Sequence, residues 1–251
     1  MSIFRRNRQP QPKYWITPGG DYSILADKCL QAEHTLIAGT TGCGKTSFLR
    51  SVLRALLVKQ NPDQAKLMII DPKQFELMEY EHLPHVIRYD DTKQGAAQAL
   101  KQAADMVDGR AAYMKQNRTK QCDMPDVYII IDELNDLMID KQNGANIKAN
   151  MEHIITLGRA VKIHLIALTQ NPNAKTIPAN IVDCYTCRIG MKCLRNVQSR
   201  QIVGINGCEN LPKHGAVIAV LDGDVGIYKA PDYIPENGND DLIAFWERQA
   251  H

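Results

Sequence analysis

An eight-residue glycine-rich segment carries the clearest chemistry in this sequence. Residues 39–46 read Gly-Thr-Thr-Gly-Cys-Gly-Lys-Thr, between the apolar run 35–38 and the largely apolar stretch 48–57. In a strand–loop–helix context, this spacing predicts a phosphate-binding loop whose backbone N–H groups and helix N-terminus attract anions. Lys45 is expected to reach the β- and γ-phosphates of a nucleotide, and the Thr46 hydroxyl is expected to bind Mg²⁺. The predicted nucleotide contacts are Gly39, Thr40, Thr41, Gly42, Cys43, Gly44, Lys45 and Thr46.

Two carboxylates and an amide follow other apolar runs. Asp132 and Glu133 come directly after 127–131, and Gln170 follows 162–169. A carboxylate at the end of a strand can hold Mg²⁺, the role predicted for Asp132, and Glu133 suits a base that polarises an attacking water. Two alternatives stay open: the carboxylates could cap a helix, and Gln170 could either sense the γ-phosphate or satisfy local backbone. If the carboxylates act as the Mg²⁺ ligand and the base, and Gln170 senses the γ-phosphate, the sequence predicts hydrolysis of the γ-phosphate by a site containing Glu133 and Gln170.

Apolar runs and amphipathic stretches predict the elements that position these side chains. Continuous apolar runs suit strands buried on both faces of a parallel sheet, and a 3.6-residue period predicts helices. Their alternation indicates an α/β fold, with a mostly parallel central sheet and helices on both faces, that binds ligands beyond the carboxyl ends of its strands. Asp71 is expected at that same edge. Strands are predicted at 35–38, 66–70, 127–131, 162–169, 185–192 and 215–229, and helices at 45–59, 92–117 and 147–160.

The remaining segments set the predicted domain limits. Residues 1–14 are predicted to be a flexible basic arm, residues 15–235 the main domain, and residues 236–251 a tail with at most a short amphipathic helix. Within 15–34, the sequence Pro-Gly-Gly-Asp at 18–21 predicts a turn, and with it a hairpin that leads into the first core strand.

Composition bounds the class of protein. The 251 residues are 44% hydrophobic and 23% charged with a net charge of +2, values that suit a globular protein and neither require nor exclude nucleic acid. No stretch approaches the roughly 20 apolar residues of a membrane span, and the N-terminus lacks the apolar core of a signal peptide, so a cytoplasmic protein without membrane insertion is predicted.

The seven cysteines are expected to be reduced. Cys184 and Cys187 form a C-x-x-C pair, for which buried structural thiols are predicted over a zinc site.

Five collinear blocks extend these motifs. They are residues 34–46 with the phosphate loop, 70–77 (Ile-Asp-Pro-Lys-Gln-Phe-Glu-Leu) with Leu83-Pro-His85 after it, 130–138 (Ile-Ile-Asp-Glu-Leu-Asn-Asp-Leu-Met), 158–170, and Ser199-Arg200 with 204–211. Together they resemble the FtsK/SpoIIIE family of DNA translocases over about residues 16–230. A shared phosphate loop alone would not produce these matches in order, so the chain is identified as a member of that family.

The resemblance implies a RecA-like P-loop NTPase motor domain that works as a ring, expected to be a homohexamer, around double-stranded DNA. ATP and Mg²⁺ are the implied cofactors. By motif position, Lys45 and Thr46 are the phosphate and Mg²⁺ ligands. Asp132 is the Mg²⁺ carboxylate, Glu133 the catalytic base, and Arg159 the arginine that reaches into a neighbouring subunit's site to neutralise the transferred phosphoryl group. Without the resemblance, a surface arginine at a helix end is the alternative for Arg159.

The sequence also departs from the family's pattern. The family's Gln-Arg-Pro after the sensor strand reads Gln-Asn-Pro at 170–172, so an arginine is missing there. The membrane-spanning, linker and winged-helix parts of the long bacterial members are not seen, which favours a motor of a plasmid, phage or other mobile element. The expected function is an ATP-hydrolysing double-stranded DNA translocase. The alternatives are a coupling or secretion-type ATPase that engages protein substrates and a non-catalytic nucleotide-binding module, and the recruiting partner stays unknown.

Overall fold

One sheet of nine strands runs through the part of the chain that the structure describes. The structure is a computed structural model, and it describes residues 15–16, 22–170, 172–173, 177–229 and 239–249. Across the sheet the strand order is β1-β9-β8-β7-β2-β6-β5-β3-β4. The strands are β1 (Trp15–Ile16), β2 (His34–Ala38), β3 (Ala65–Ile70), β4 (Val86–Asp90), β5 (Asp126–Ile131), β6 (Ile163–Thr169), β7 (Cys187–Gly190), β8 (Ala216–Leu221) and β9 (Asp224–Lys229).

Helices connect most of these strands. Strand β8 is antiparallel to both of its neighbours, β7 and β9, whereas the other paired strands are parallel. The mostly parallel α/β sheet expected from the sequence is therefore confirmed. The helices are α1 (Tyr22–Gln31), α2 (Lys45–Lys59), α3 (Lys93–Gln116), α4 (Leu134–Met138), α5 (Gly144–Leu157), α6 (Ala179–Val182), α7 (Asn196–Val203) and α8 (Asp240–Gln249).

Two large apolar cores cover the two faces of the sheet. Successive residues of a strand point to opposite faces, and in β2 the two buried neighbours Leu36 and Ile37 belong to different cores. Ile37 lies in the core that contains Phe48 of α2, and Leu36 lies in the core that contains Ile154 of α5. Central strands need apolar residues at every position because both of their faces are covered, which is why they read as continuous apolar runs.

The central strands bring the predicted site residues to one edge. Strand β6 lies between β2 and β5, with Ala38 opposite Thr169 and Ile131 opposite Ala167. All three strands are parallel, so the loops that follow them leave the sheet on the same side. The segments that begin at residues 39, 132 and 170 are therefore neighbours, although they are far apart in the sequence.

Local periodicity predicted several elements correctly. Helix α2 has the predicted limits, Lys45–Lys59. Helix α3 lies within the predicted range, and its predicted N-cap is confirmed, since the Thr92 hydroxyl accepts the Gly95 N–H at 3.0 Å. Helix α5 begins earlier than expected, at Gly144, and it passes into a 3-10 turn over Gly158–Val161.

Three features at the sheet margins differ from expectation. The hairpin predicted within 15–34 is wrong, because β1 pairs in parallel with β9 and α1 precedes β2. The run 215–229 is two strands, joined by Asp222-Gly223, whose φ angles of 49° and 91° make the tight turn of a hairpin. Edge strand β4 was not predicted, since its residues are only partly buried and lack a continuous apolar run. The predicted basic arm 1–14 and the turn at 18–21 lie outside the described residues.

Candidate active site

The glycine-rich loop joins β2 to α2 and has the backbone of a phosphate-binding loop. Gly42 and Gly44 have φ angles of 70° and 97°, a left-handed conformation that favours glycine because it has no Cβ. The Phe48 N–H donates to the Gly44 carbonyl at 2.9 Å and so begins the helix directly after the loop. The loop is thus placed at a helix N-terminus, where backbone N–H groups favour anions.

The Lys45 side chain lies along the inner side of this loop. Its Nζ donates to the carbonyls of Gly39 at 2.8 Å and Thr40 at 3.0 Å, and the side chain is buried. Burial lowers the pKa of Lys45. Lys45 and Thr46 line one cavity of about 280 Å³ together with Asp132 and Gln170.

Asp132 and Glu133 follow β5 and are both 3% exposed. Glu133 Oε1 accepts the Asn135 N–H at 3.3 Å and thereby caps α4, so the capping alternative raised by the sequence is present in the structure. The same carboxylate accepts the backbone N–H of Gln170 at 3.2 Å. Glu133 is therefore fixed by two backbone donors, next to Asp132 and Gln170, which both line the cavity. This arrangement also suits a general base.

Asp132 has a different environment from its neighbour. Burial raises the pKa of its carboxyl group, which the positive charge of Lys73 offsets only in part. Its Oδ2 atom is buried and has no hydrogen bond of good geometry among the described residues. Asp132 and Thr46 line the same cavity, and carboxylate and hydroxyl oxygens are the ligands that Mg²⁺ takes beside a nucleotide. These two side chains fit the predicted Mg²⁺ site.

Gln170 links the phosphate loop to the carboxylates. Its Oε1 accepts the Thr41 hydroxyl at 2.7 Å, while its backbone N–H donates to Glu133. Both readings offered by the sequence are compatible with this geometry, because the amide satisfies local groups and also lines the cavity. The structure brings together Thr41, Lys45, Asp132, Glu133 and Gln170, as the strand order requires.

Lys73 was missed as a site residue in the sequence. Its Nζ lies 3.3 Å from Asp132 Oδ2 and 3.5 Å from Glu133 Oε2. Burial lowers the pKa of Lys73, but the two carboxylates outweigh that effect and raise it above its usual range. The available signal was the position of Asp71-Pro72-Lys73 directly after β3, at the same edge as the other loops.

Arg159 lies at the other edge of the sheet. It belongs to the turn that leads into the first residue of β6, whereas Gln170 follows the last. The seven residues of β6 separate the two, a span of about 20 Å. Its Nη1 lies 2.5 Å from Glu33 Oε1, and its side chain is 73% exposed. The structure thus does not bring Arg159 to the phosphate site of its own chain.

The cysteines do not form a metal cluster in the part of the chain that the structure describes, where no group of three or more metal-ligating His, Cys, Asp or Glu side chains occurs. Cys187 is buried as predicted, with its Sγ 3.6 Å from Cys29 Sγ, but the prediction of a buried thiol is wrong for Cys184, which is exposed. All seven cysteines are free. In the phosphate loop, burial raises the pKa of the Cys43 thiol, which disfavours the reactive thiolate.

Sequence comparison identifies the family. A family model described as FtsK/SpoIIIE matches residues 19–129. The DNA translocase FtsK of Staphylococcus aureus is 32% identical over 214 residues, which cover 77% of this chain and 27% of that protein. The chain belongs to the FtsK/SpoIIIE family. It spans about a quarter of the length of such FtsK relatives, and the residues matched by the family model include the phosphate loop.

Solved structures share the fold of this FtsK/SpoIIIE chain. The pCW3 conjugation coupling protein TcpA, solved with ATPγS, has a TM-score of 0.74 at 22% identity, covering 86% of this chain and 66% of that one. The type VII secretion ATPase EccC of Thermomonospora curvata has a TM-score of 0.71 at 19% identity, covering 86% and 28%. The predicted P-loop fold is confirmed by this likeness to solved ATPase structures. Among the described helices, none combines the length and apolar character needed to cross a bilayer.

Proposed function

We propose that this FtsK/SpoIIIE chain couples ATP hydrolysis to movement along double-stranded DNA, as a ring of identical subunits. The relative that covers most of the chain at 32% identity is named a DNA translocase, which supports DNA as the substrate. Within the site, Lys45 and the loop amides bind the phosphates, and Thr46 and Asp132 hold Mg²⁺. When bound, Mg²⁺ supplies positive charge to the phosphate oxygens. Glu133 accepts a proton from the attacking water.

The position of Arg159 carries the ring part of the proposal. The chain has a phosphate loop and two carboxylates at one edge of the sheet, but its candidate arginine finger is exposed at the opposite edge. A head-to-tail contact between identical subunits brings opposite faces of neighbours together and closes into a ring when the rotation allows. In such a ring Arg159 completes the site of the next subunit, where it stabilises the charge of the transferred phosphoryl group.

Two basic segments are proposed to face DNA. The loop that precedes β5 has exposed Arg118 and Lys120, and the loop between α4 and α5 has exposed Lys141. These loops lie at opposite edges of the sheet, joined by the packed helices α3 and α5. Both loops would contact the backbone phosphates of DNA that passes through a channel, without reading its sequence. Binding should therefore weaken steeply as the salt concentration rises.

ATP hydrolysis measured with and without double-stranded DNA tests the proposal. We expect DNA to stimulate hydrolysis by the wild type, and Lys45→Ala to abolish it because the phosphates lose their buried cation. Lys101→Ala is the matched control, since Lys101 lies on the exposed surface of α3 and pairs with Asp105. Hydrolysis that DNA leaves unchanged would contradict the proposal and favour the protein-engaging ATPase. Nucleotide binding without hydrolysis under either condition would favour the non-catalytic module.

A further inference from the structure

The loop after β3 is built around a buried carboxylate. Asp71 is fully buried, and its two oxygens accept the backbone N–H groups of Gln74 at 3.2 Å, Glu76 at 3.0 Å and Leu77 at 3.0 Å. Gln74 has a φ of 68°, a left-handed conformation that is uncommon outside glycine. The role of Asp71 at this edge is thus to fold the loop rather than to contact the phosphates, and the folded loop presents Lys73 to the cavity.

The buried carboxylates of Asp132 and Glu133 have few positive charges near them. Asp132 and Glu133 place two carboxylates in a nearly solvent-free position, which is costly for ionised groups that lack a counter-charge. Among the described residues, Lys73 is the one side-chain cation within 4 Å of either carboxylate. The ammonium of Lys45 instead donates to loop carbonyls.

Lys73 also faces the space where phosphates are expected. It lines the same cavity as Lys45, Thr46 and Asp132, and about a third of its side chain remains exposed. Its charge therefore acts in two directions: toward the carboxylate pair behind it and toward the anion that the loop binds. A positive charge between two sets of negative charges reduces the repulsion between them.

We propose that Lys73 is a positioning residue of the nucleotide site, which holds the Asp132–Glu133 pair in place and offsets its charge so that nucleotide phosphates can approach. The inference rests on the proposed nucleotide-binding function but not on DNA or on ring formation. Lys73 and Mg²⁺ then share one task, because both would place positive charge beside Asp132. The loss of Lys73 should accordingly matter most when the metal is absent.

The test compares the affinity for a non-hydrolysable ATP analogue in EDTA and in saturating Mg²⁺, by calorimetry, for the wild type and two Lys73 variants. Lys73→Met keeps the apolar stem without the charge, and we expect it to weaken metal-free binding by about tenfold while Mg²⁺ restores most of the affinity. Lys73→Arg should keep the wild-type ratio of the two affinities. Lys101→Met is the matched control for removing one lysine charge.

An unchanged ratio in folded Lys73→Met would overturn the inference, and so would an equal loss in EDTA and Mg²⁺. A wild type that binds no nucleotide would instead defeat the proposed function itself. If Lys73→Met melts at too low a temperature for the binding measurement, the double variant Lys73→Met/Asp132→Asn decides by its Tm. Charge compensation predicts that the double variant melts higher than the single one, because removing the partner charge removes the uncompensated carboxylate. An equal or lower Tm contradicts it.

Discussion

Glu133 ends a strand and begins a helix with the same side chain. Its carboxylate accepts backbone N–H groups from Asn135 and Gln170, and it lies beside the Lys73 ammonium. The first contact stabilises α4, the second joins the ends of β5 and β6, and the third balances charge. The structural role and the proposed catalytic role are therefore compatible, and substitutions can separate them.

Glu133→Gln is expected to keep the helix cap and lose the base. The amide oxygen can still accept backbone N–H groups, whereas it cannot take a proton from water, so nucleotide binding should persist while the hydrolysis rate falls by about 10²-fold or more. Glu133→Ala should in addition lower the free energy of unfolding by about 1 kcal/mol through the lost cap. Steady-state hydrolysis and denaturant unfolding measure the two effects. Glu81→Gln, at an exposed position, is the control, and near-normal hydrolysis by Glu133→Gln would exclude the base role.

At the scale of elements, α8 packs against α2, the helix that follows the phosphate loop. The Trp246 indole N–H donates to the Leu57 carbonyl of α2 at 2.9 Å, and its ring packs edge-on against His85 at 4.8 Å. Arg54 of α2 pairs with Asp241 at 2.9 Å, but this pair is exposed and contributes little. Packing by Trp246 therefore fixes α8 on α2, which begins at Lys45.

Trp246→Ala should lower the free energy of unfolding by about 2 kcal/mol, since a half-buried ring loses both packing and a hydrogen bond. The matched control is Phe245→Ala, because Phe245 is the adjacent ring and is 44% exposed; its loss should cost less than about 0.5 kcal/mol. Urea unfolding of both variants measures the difference. Equal losses would show that α8 is not held through Trp246.

At the scale of the whole molecule, the sheet separates Arg159 from its own phosphate site. In the described chain Arg159 pairs with Glu33 at the start of β2, and the phosphate loop begins at the end of that strand. Arg159 thus lies beside one end of β2 and the phosphate loop follows the other end, so each subunit would present one of them at each of its two proposed contacts. In a ring whose subunits each present the phosphate loop on one side and Arg159 on the other, every site can receive its arginine from a neighbouring subunit.

Mixing two inactive variants tests this arrangement. Arg159→Ala keeps its own base, and Glu133→Gln keeps its own arginine, so a random equal mixture should place both intact groups at about a quarter of the contacts between subunits. We expect DNA-stimulated hydrolysis to recover to about that fraction of the wild-type rate. Mixing Lys101→Ala with Glu133→Gln controls for dilution. A mixture no more active than its separate components would refute a role for Arg159 across the interface.

The sequence by itself determined the parts that depend on neighbouring residues. The loop 39–46, the limits of α2 and the strand-end positions of Asp132 and Gln170 follow from local spacing and apolar runs. The edge that these residues share also follows, because the carboxyl ends of parallel strands meet on one side of a sheet.

Only the tertiary structure decided which distant residues touch. Lys73 meets Glu133 across 60 residues of sequence, and β1 pairs with β9 where a local hairpin was expected. These contacts depend on strand order and register, which no local periodicity encodes. The far-edge position of Arg159 already follows from the predicted order of elements, because a helix that runs back between two parallel strands must end on the side opposite to the site. Only the tertiary structure shows that Arg159 pairs there with Glu33.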